Sequence, residues 1–266
     1  MHKVNFKKSW SDLGNNIVLF LPDLVNIIFI LIFGYIILNI AGLYDFLRDA
    51  PYTLGPQDLN DALAFISSNM STILISIVVL LIGAFFFSIA VAAVKFGMIK
   101  DVVNKKRANV SSGMSYIKKY YGGILNIKLW TFLIYMVVLI VAILINIILR
   151  AIGLDLAALI VSLILLVILA IKAFLSLMFR YPIMFTKNKN AKESIKLSYK
   201  FFKENKGYNL VIFGIIIAVA VVISVIFSIL GNIPYVGEFI QTLSPIGTLV
   251  ASVWANVFLF NSYLKK

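Results

Sequence analysis

Few side chains in this 266-residue chain have the types and spacing that acid–base, nucleophilic or metal chemistry needs. His2 is the one histidine, in a terminal segment of the kind where side chains seldom act. There is no cysteine, which excludes disulfides and thiol chemistry and leaves the redox compartment unread. No HExxH, GxSxG or phosphate-loop pattern occurs, and no His/Asp pair has metal-ligand spacing. Asp45, Asp49, Asp58 and Asp61 crowd one connection, and carboxylates suit hard divalent cations. Their spacing matches no cation-binding loop, so a solvated acidic loop is the expectation. These residues predict a protein that is not an enzyme and needs no metal or cofactor.

Charge inside apolar sequence is the sharper signal, because an ionisable group in hydrocarbon is costly and marks function by default. Asp23, Lys95 and Lys172 are such residues. Lys172 precedes Arg180 by eight residues, about 12 Å of helix at 1.5 Å per residue. Lys95 is five residues before Lys100, so its stem can bury while the ammonium reaches the interface. Asp23 follows Pro22 and places negative charge at a helix N-terminus. A pair of Asp23 with Lys172 or Lys95 would join spans inside a bundle. Asn26, Asn39, Asn146, Asn256 and Asn261 add polar groups that interhelical hydrogen bonds explain equally well.

The elements that carry these residues follow from composition. The chain is 62% apolar and 13% charged, with mean hydropathy +1.01, far outside the soluble range. Runs of about 20 apolar residues cross the hydrocarbon as helices, and here they cover about 22–42, 71–97, 124–149, 156–179, 209–230 and 246–264. None has the period-2 alternation of a barrel strand. The expected fold is all-α: a polytopic membrane bundle of six transmembrane helices in three hairpins, one membrane domain over residues 1–266. The run after the basic start is too long for a signal-peptide core and lacks a small-x-small site, so it reads as a retained span.

Charge orients the spans. Twenty of the 24 basic side chains fall in four segments: Lys3 to Lys8, Lys100 to Lys128, Arg180 to Lys206, and Lys265 with Lys266. The alternate connections hold Asp45, Asp49, Asp58, Asp61, Asp155 and Glu238 against only Arg48 and Arg150. Basic segments stay inside during insertion, which predicts a multi-pass cell-membrane protein with both termini cytoplasmic. The net charge of +13 flanks apolar spans and lines no soluble face, so anionic lipid is the expected counterpart and nucleic acid is excluded. Among the outer connections, Arg150 to Asp155 is a tight turn with Gly153, and the apolar segment 231–245 is expected in the interface or dipping into the bundle.

A short pattern precedes each odd-numbered span: Ser, an aromatic, five residues, then Asn or Gly. Ser9-Trp10 leads to Asn16, Ser115-Tyr116 to Gly122, and Ser198-Tyr199 to Asn205. Asn and Gly tolerate the left-handed cap, so each copy predicts a helix that stops before its span. Phe6, Trp10 and Leu13 match Ile195, Tyr199 and Phe202 as apolar stripes at helical spacing, with Lys192, Lys196, Lys200 and Lys203 forming a basic stripe. Basic amphipathic helices with aromatics lie in the interface plane. In the second copy Ser112 and Lys119 replace the stripe residues, which weakens that face. The unit is a cytoplasmic interfacial helix followed by a hairpin, repeated over 1–99, 100–180 and 188–264.

The segment Phe179-Arg-Tyr-Pro-Ile-Met-Phe, followed by Ala191-Lys-Glu-Ser-Ile-Lys-Leu-Ser-Tyr199, resembles a group of prokaryotic membrane proteins. That group includes the membrane domain fused to some glycerophosphodiester phosphodiesterases. Ile233-Pro-Tyr-Val-Gly237 and Ser244-Pro245 are similar to it as well. The resemblance implies a six-helix membrane domain and supplies no catalytic residue, since the phosphodiesterase activity of the fused proteins belongs to a separate soluble domain. High Ile, Lys and Asn usage agrees with a prokaryotic source.

The function expected from all this is non-enzymatic engagement of anionic lipid headgroups, or of a protein partner in the membrane, by the basic cytoplasmic helices. Lys192, Lys196, Lys200 and Lys203 would supply charge, and Trp10 and Tyr199 the interfacial anchors. The alternative is a transporter or channel subunit with a polar path near Lys172.

Overall fold

With no water in the hydrocarbon to satisfy peptide groups, long apolar runs must bond within themselves, and helix is the form the described apolar runs take. The computed structural model describes residues 2–44, 48, 56–233 and 237–266, without the side chains of 56–59, 61 and 62. The order is α1 (His2–Gly14), a 3₁₀ turn (Ile17–Phe20), α2 (Leu21–Ile40), α3 (Pro56–Val103), α4 (Val110–Ala151) and α5 (Asp155–Leu177). Then follow α6 (Arg180–Lys187), α7 (Ala191–Glu204), α8 (Lys206–Gly231) and α9 (Gly237–Leu264). No strand occurs among the described residues. Among the described residues six helical stretches are long and apolar enough to cross a membrane. Their outer faces carry Ile75, Val137, Leu163 and Val222, each more than half exposed, as only a surface solvated by lipid can. The chain is an all-α, multi-pass membrane protein.

The chain divides into two compact units, Leu21–Ala92 on one side and residues 1–20 with Ala93–Lys266 on the other. In the first, α2 meets the opening part of α3 through a stack of Phe29 on Phe87, ring centroids 3.8 Å apart. The Phe33 ring lies where a Cβ on Gly83 would sit.

The second unit contains two hairpins. Between α4 and α5 the chain turns through Gly153 at φ +80°, with Gly153 N–H donating to the Arg150 carbonyl (2.9 Å) and Leu154 N–H to that of Leu149 (3.0 Å). This is the Schellman closure, with glycine at the left-handed residue. Asn146 Nδ2 donates to Ser162 Oγ across that hairpin at 3.0 Å. In the second hairpin α8 and α9 approach where Gly247 leaves room for the Phe227 ring.

The spans differ from the sequence reading at four places. Residues 56–70, expected as loop, are the opening of α3. The last span begins at Gly237 and continues through Pro245, so 237–245 is helix; Pro234, Tyr235 and Val236 lie outside the described residues. The fourth span stops at Leu177, and α6 starts a new helix at Arg180. Pro182 has no N–H to return to the Met178 carbonyl, and beside that break Ser198 of α7 bridges the two helices: its Oγ donates to the Ser176 carbonyl (2.7 Å) and accepts from Phe179 N–H (3.2 Å).

The fourth difference concerns the lead-in helices. α1 and α7 are separate helices ending before Asn16 and Asn205, as the pattern predicts. The second copy is not separate, because α4 runs unbroken through Gly122 and Gly123. Gly113, Tyr120, Ile124 and Ile127 are all buried along one face, so packing carries the helix past two residues that disfavour it by about 1 kcal/mol each.

Large core side chains of this unit gather at one end: Met98, Ile99, Ile124, Phe179, Phe185, Trp254, Phe258 and Phe260 are fully buried. Ser198→Ala leaves the buried Phe179 N–H without its acceptor, and we expect a loss of about 1–3 kcal/mol. A lower melting temperature in detergent, with helicity by circular dichroism unchanged at 20 °C, is the check; wild-type melting would show that the bridge is dispensable.

Candidate functional site

Bases in the sequence and core in the structure meet at the same end. The last turns of α3, the 104–109 connection, the first turns of α4, α6, α7 and the end of α9 converge there with α1. Asn261 of α9 donates to Ser9 Oγ (3.1 Å) and Asp12 Oδ2 (2.9 Å), and its Oδ1 accepts from Lys8 Nζ (2.5 Å). Tyr208 OH donates to the Ser262 carbonyl at 2.7 Å. Tyr120 OH donates to Asn188 Oδ1 (2.9 Å), and Tyr116 OH to the buried Asp101 (2.8 Å). The Tyr116 ring lies against Gly97, where any Cβ would overlap it.

Helix α7 has two faces. Ala191, Ser194 and Ser198 turn inward and are buried. Lys192, Lys196, Lys200 and Lys203 are exposed together with Tyr199. Lys200 has Glu204 at 3.8 Å, while Lys189 and Glu193 pair at 3.2 Å. The inward face is therefore the small and hydroxyl stripe; Ile195 and Phe202, which periodicity places on the apolar face, are only half-buried. α1 behaves alike, burying Asn5, Ser9 and Leu13.

Trp10 and Tyr199 occupy different surroundings. Trp10 stacks on Trp254 at 5.3 Å in a cluster with Phe6 and Phe258, along an apolar groove of about 550 Å³ whose far wall is Ile215, Ala218, Val219, Val222 and Ile223 of α8. Lys172 is on the exposed face of α5, while Lys95 is buried at 7% exposure near the end of α3, deeper than a snorkelling lysine. Asp23 sits in the first turn of α2, as its position after Pro22 predicts. Asp45 and Asp49, and the side chains of Asp58 and Asp61, lie outside the described residues.

A polar cleft of about 680 Å³ opens between the C-terminal end of α1 and the 104–109 connection. Lys8, Lys105, Lys106 and Arg107 line it against one acid, Asp12. Asn16 ties the walls together: its Oδ1 accepts from Ala108 N–H (3.0 Å) and its Nδ2 donates to the Asp12 carbonyl (2.9 Å). Asn16 was legible only as a helix stop, yet its side chain closes a contact between residues 92 apart in sequence.

One backbone conformation in this cleft is unusual. α3 ends in the same closure as α4, with Lys105 N–H on the Val102 carbonyl and Lys106 N–H on that of Asp101, both at 2.9 Å. The left-handed residue here is Lys105, at φ +64°. Elsewhere among the described residues that region is taken by Gly42, Gly153 and Asn188, types that enter it cheaply. A lysine there costs about 1 kcal/mol more than glycine. Non-glycine residues are uncommon in this region and carry strain there.

No family model, no curated protein and no solved structure matches the chain. The fold and this basic, polar end therefore define it at the level of a six-span α-helical membrane protein.

Lys105→Gly should stabilise the protein by about 1 kcal/mol. The readout is chemical or thermal unfolding in detergent, and a destabilised variant would show that no strain resides at φ +64°.

Proposed function

We propose that the basic end is cytoplasmic and engages the anionic surface of the inner leaflet without catalysing a reaction. The observation that carries this reading is the outer face of α7, where Lys192, Lys196, Lys200 and Lys203 stand exposed around Tyr199 while Ser198 pins the helix to the bundle. A stripe of cations on a fixed helix meets a charged surface without the cost of ordering its backbone, and each lysine near it contributes about 1 kcal/mol. The orientation rests on the concentration of basic residues in alternate connections.

The threefold repeat belongs to the same reading. The ends of the second and fourth spans contact the lead-in segment that follows, Asp101 of α3 with Tyr116 and Ser176 of α5 with Ser198, and the end of the sixth contacts the first lead-in helix, Asn261 of α9 with Ser9. Ser9 and Ser198 occupy the same place in the Ser-aromatic pattern, which supports descent from one unit even though the middle copy has lost its break. The resemblance to the prokaryotic six-helix group is part of this proposal. Lys172, exposed on α5, fits snorkelling and adds nothing to a transport path.

In bilayers containing spin-labelled lipids, the wild-type chain should prefer phosphatidylglycerol over phosphatidylcholine, and 1 M salt should abolish the preference. Replacing any one of the four lysines with glutamine should reduce it by about fivefold, and replacing all four should remove most of it. Unchanged selectivity, with a second polypeptide cross-linking to position 196, would transfer the surface from lipid to a protein partner.

A further inference from the structure

The cleft beside α1 is distinct from the face of α7, and its chemistry is more specific than general attraction to a charged surface. Asp12, its single acid, is already engaged by Lys8 (3.4 Å) and by Asn261 Nδ2 (2.9 Å). The exposed side chains of Lys105, Lys106 and Arg107, by contrast, have no hydrogen-bond or ion-pair partner among the described residues. Three consecutive cations thus border a concave space of about 680 Å³, within the size range of small-ligand sites. Asn15 and Asn16 lie on the opposite wall, each with one Nδ2 hydrogen already engaged, by Ser11 Oγ (3.3 Å) and by the Asp12 carbonyl (2.9 Å), and a second one left to donate. A guanidinium and two ammonium groups match the charge and the oxygen acceptors of a phosphate.

We propose that the cleft lined by Lys105, Lys106, Arg107, Asn15 and Asn16 binds a phosphate group. The second observation is the backbone of Lys105, held left-handed at the position where glycine closes the equivalent turn at residue 153. A glycine there would keep the closure and relieve strain but remove one cation from the cleft. Lysine at that position is explained by what its ammonium contacts. The third wall indicates the source of the phosphate. Ile17 and Val18, at the start of the first span, line the cleft with exposed side chains, 71% and 42% accessible. A phosphate seated among the cations therefore has the apolar Ile17 and Val18 side chains beside it, as the acyl chains of a phospholipid require and free phosphate does not.

The test uses the full chain in detergent, with lipid adducts counted and titrated by native mass spectrometry. Phosphatidic acid is compared with diacylglycerol, which differs only in lacking the phosphate, and inorganic phosphate serves as competitor. We expect a stoichiometric phosphatidic acid adduct and none with diacylglycerol. Lys105→Gly should weaken that adduct at least tenfold while raising the melting temperature, so the loss cannot come from unfolding. The double variant Lys106→Gln, Arg107→Gln should abolish it. The variant carrying glutamine at 192, 196, 200 and 203 should keep it, which separates this site from the surface on α7. Displacement by millimolar inorganic phosphate would support the same site with phosphate itself as the recognised group. Wild-type affinity in both cleft variants would overturn the proposal, as would an adduct lost only when α7 is neutralised.

Discussion

A layer of small polar side chains, buried where the bundle meets its lead-in helices, is the constraint on which the rest depends. Asn5, Ser9, Ser194, Ser198, Asn209, Asn261 and Ser262 are all 0–1% exposed. Between transmembrane helices lipid is as good a solvent as leucine, so burial of apolar area gives little preference for one helix partner over another. Directional side-chain bonds from three of them, Ser9, Ser198 and Asn261, supply it. Ser198 bridges the break at the end of the fourth span, Asn261 fixes α1 against α9, and Asn16 fixes the connection between the second and third spans. Each hydrogen bond is worth only about 0.6 kcal/mol in such a setting, yet together they select a single arrangement.

Shape completes what the polar layer specifies. The Tyr116 ring reaches Asp101 only because Gly97 lets it approach, and Tyr120 stacks on Phe185 at 4.2 Å beside it. Phe96 then stacks on Tyr181 at 4.4 Å. Aromatic pairs at these separations add about 0.5–1.5 kcal/mol beyond the area they bury. Charge, polar bonds and aromatic packing thus coincide at one end, and the same rigidity holds the exposed lysines of α7 in place.

The spans were legible because about 20 consecutive apolar residues have one physical reading in lipid. Separate helices before the first and fifth spans were legible too, from Asn16 and Asn205. Direction was not. The inward face of α7 is Ala191, Ser194 and Ser198, whereas periodicity singled out Ile195, Tyr199 and Phe202. Hydrophobicity ranks residues by aversion to water, and next to a bilayer that ranking cannot separate a face turned to lipid from one turned to protein. The continuity of α4 through Gly122 was hidden for a related reason: a local preference for stopping was outweighed by contacts with residues far along the chain. The basic cleft was invisible because Lys105 looks like any other lysine until its backbone is seen.

The α4–α5 and α8–α9 hairpins are clamped at their basic end by the largest buried side chains of their unit, while their outer halves present mainly exposed aliphatic residues such as Ile147, Leu163 and Val225. Each hairpin is mechanically a cantilever, stiff at its root and compliant at its tip.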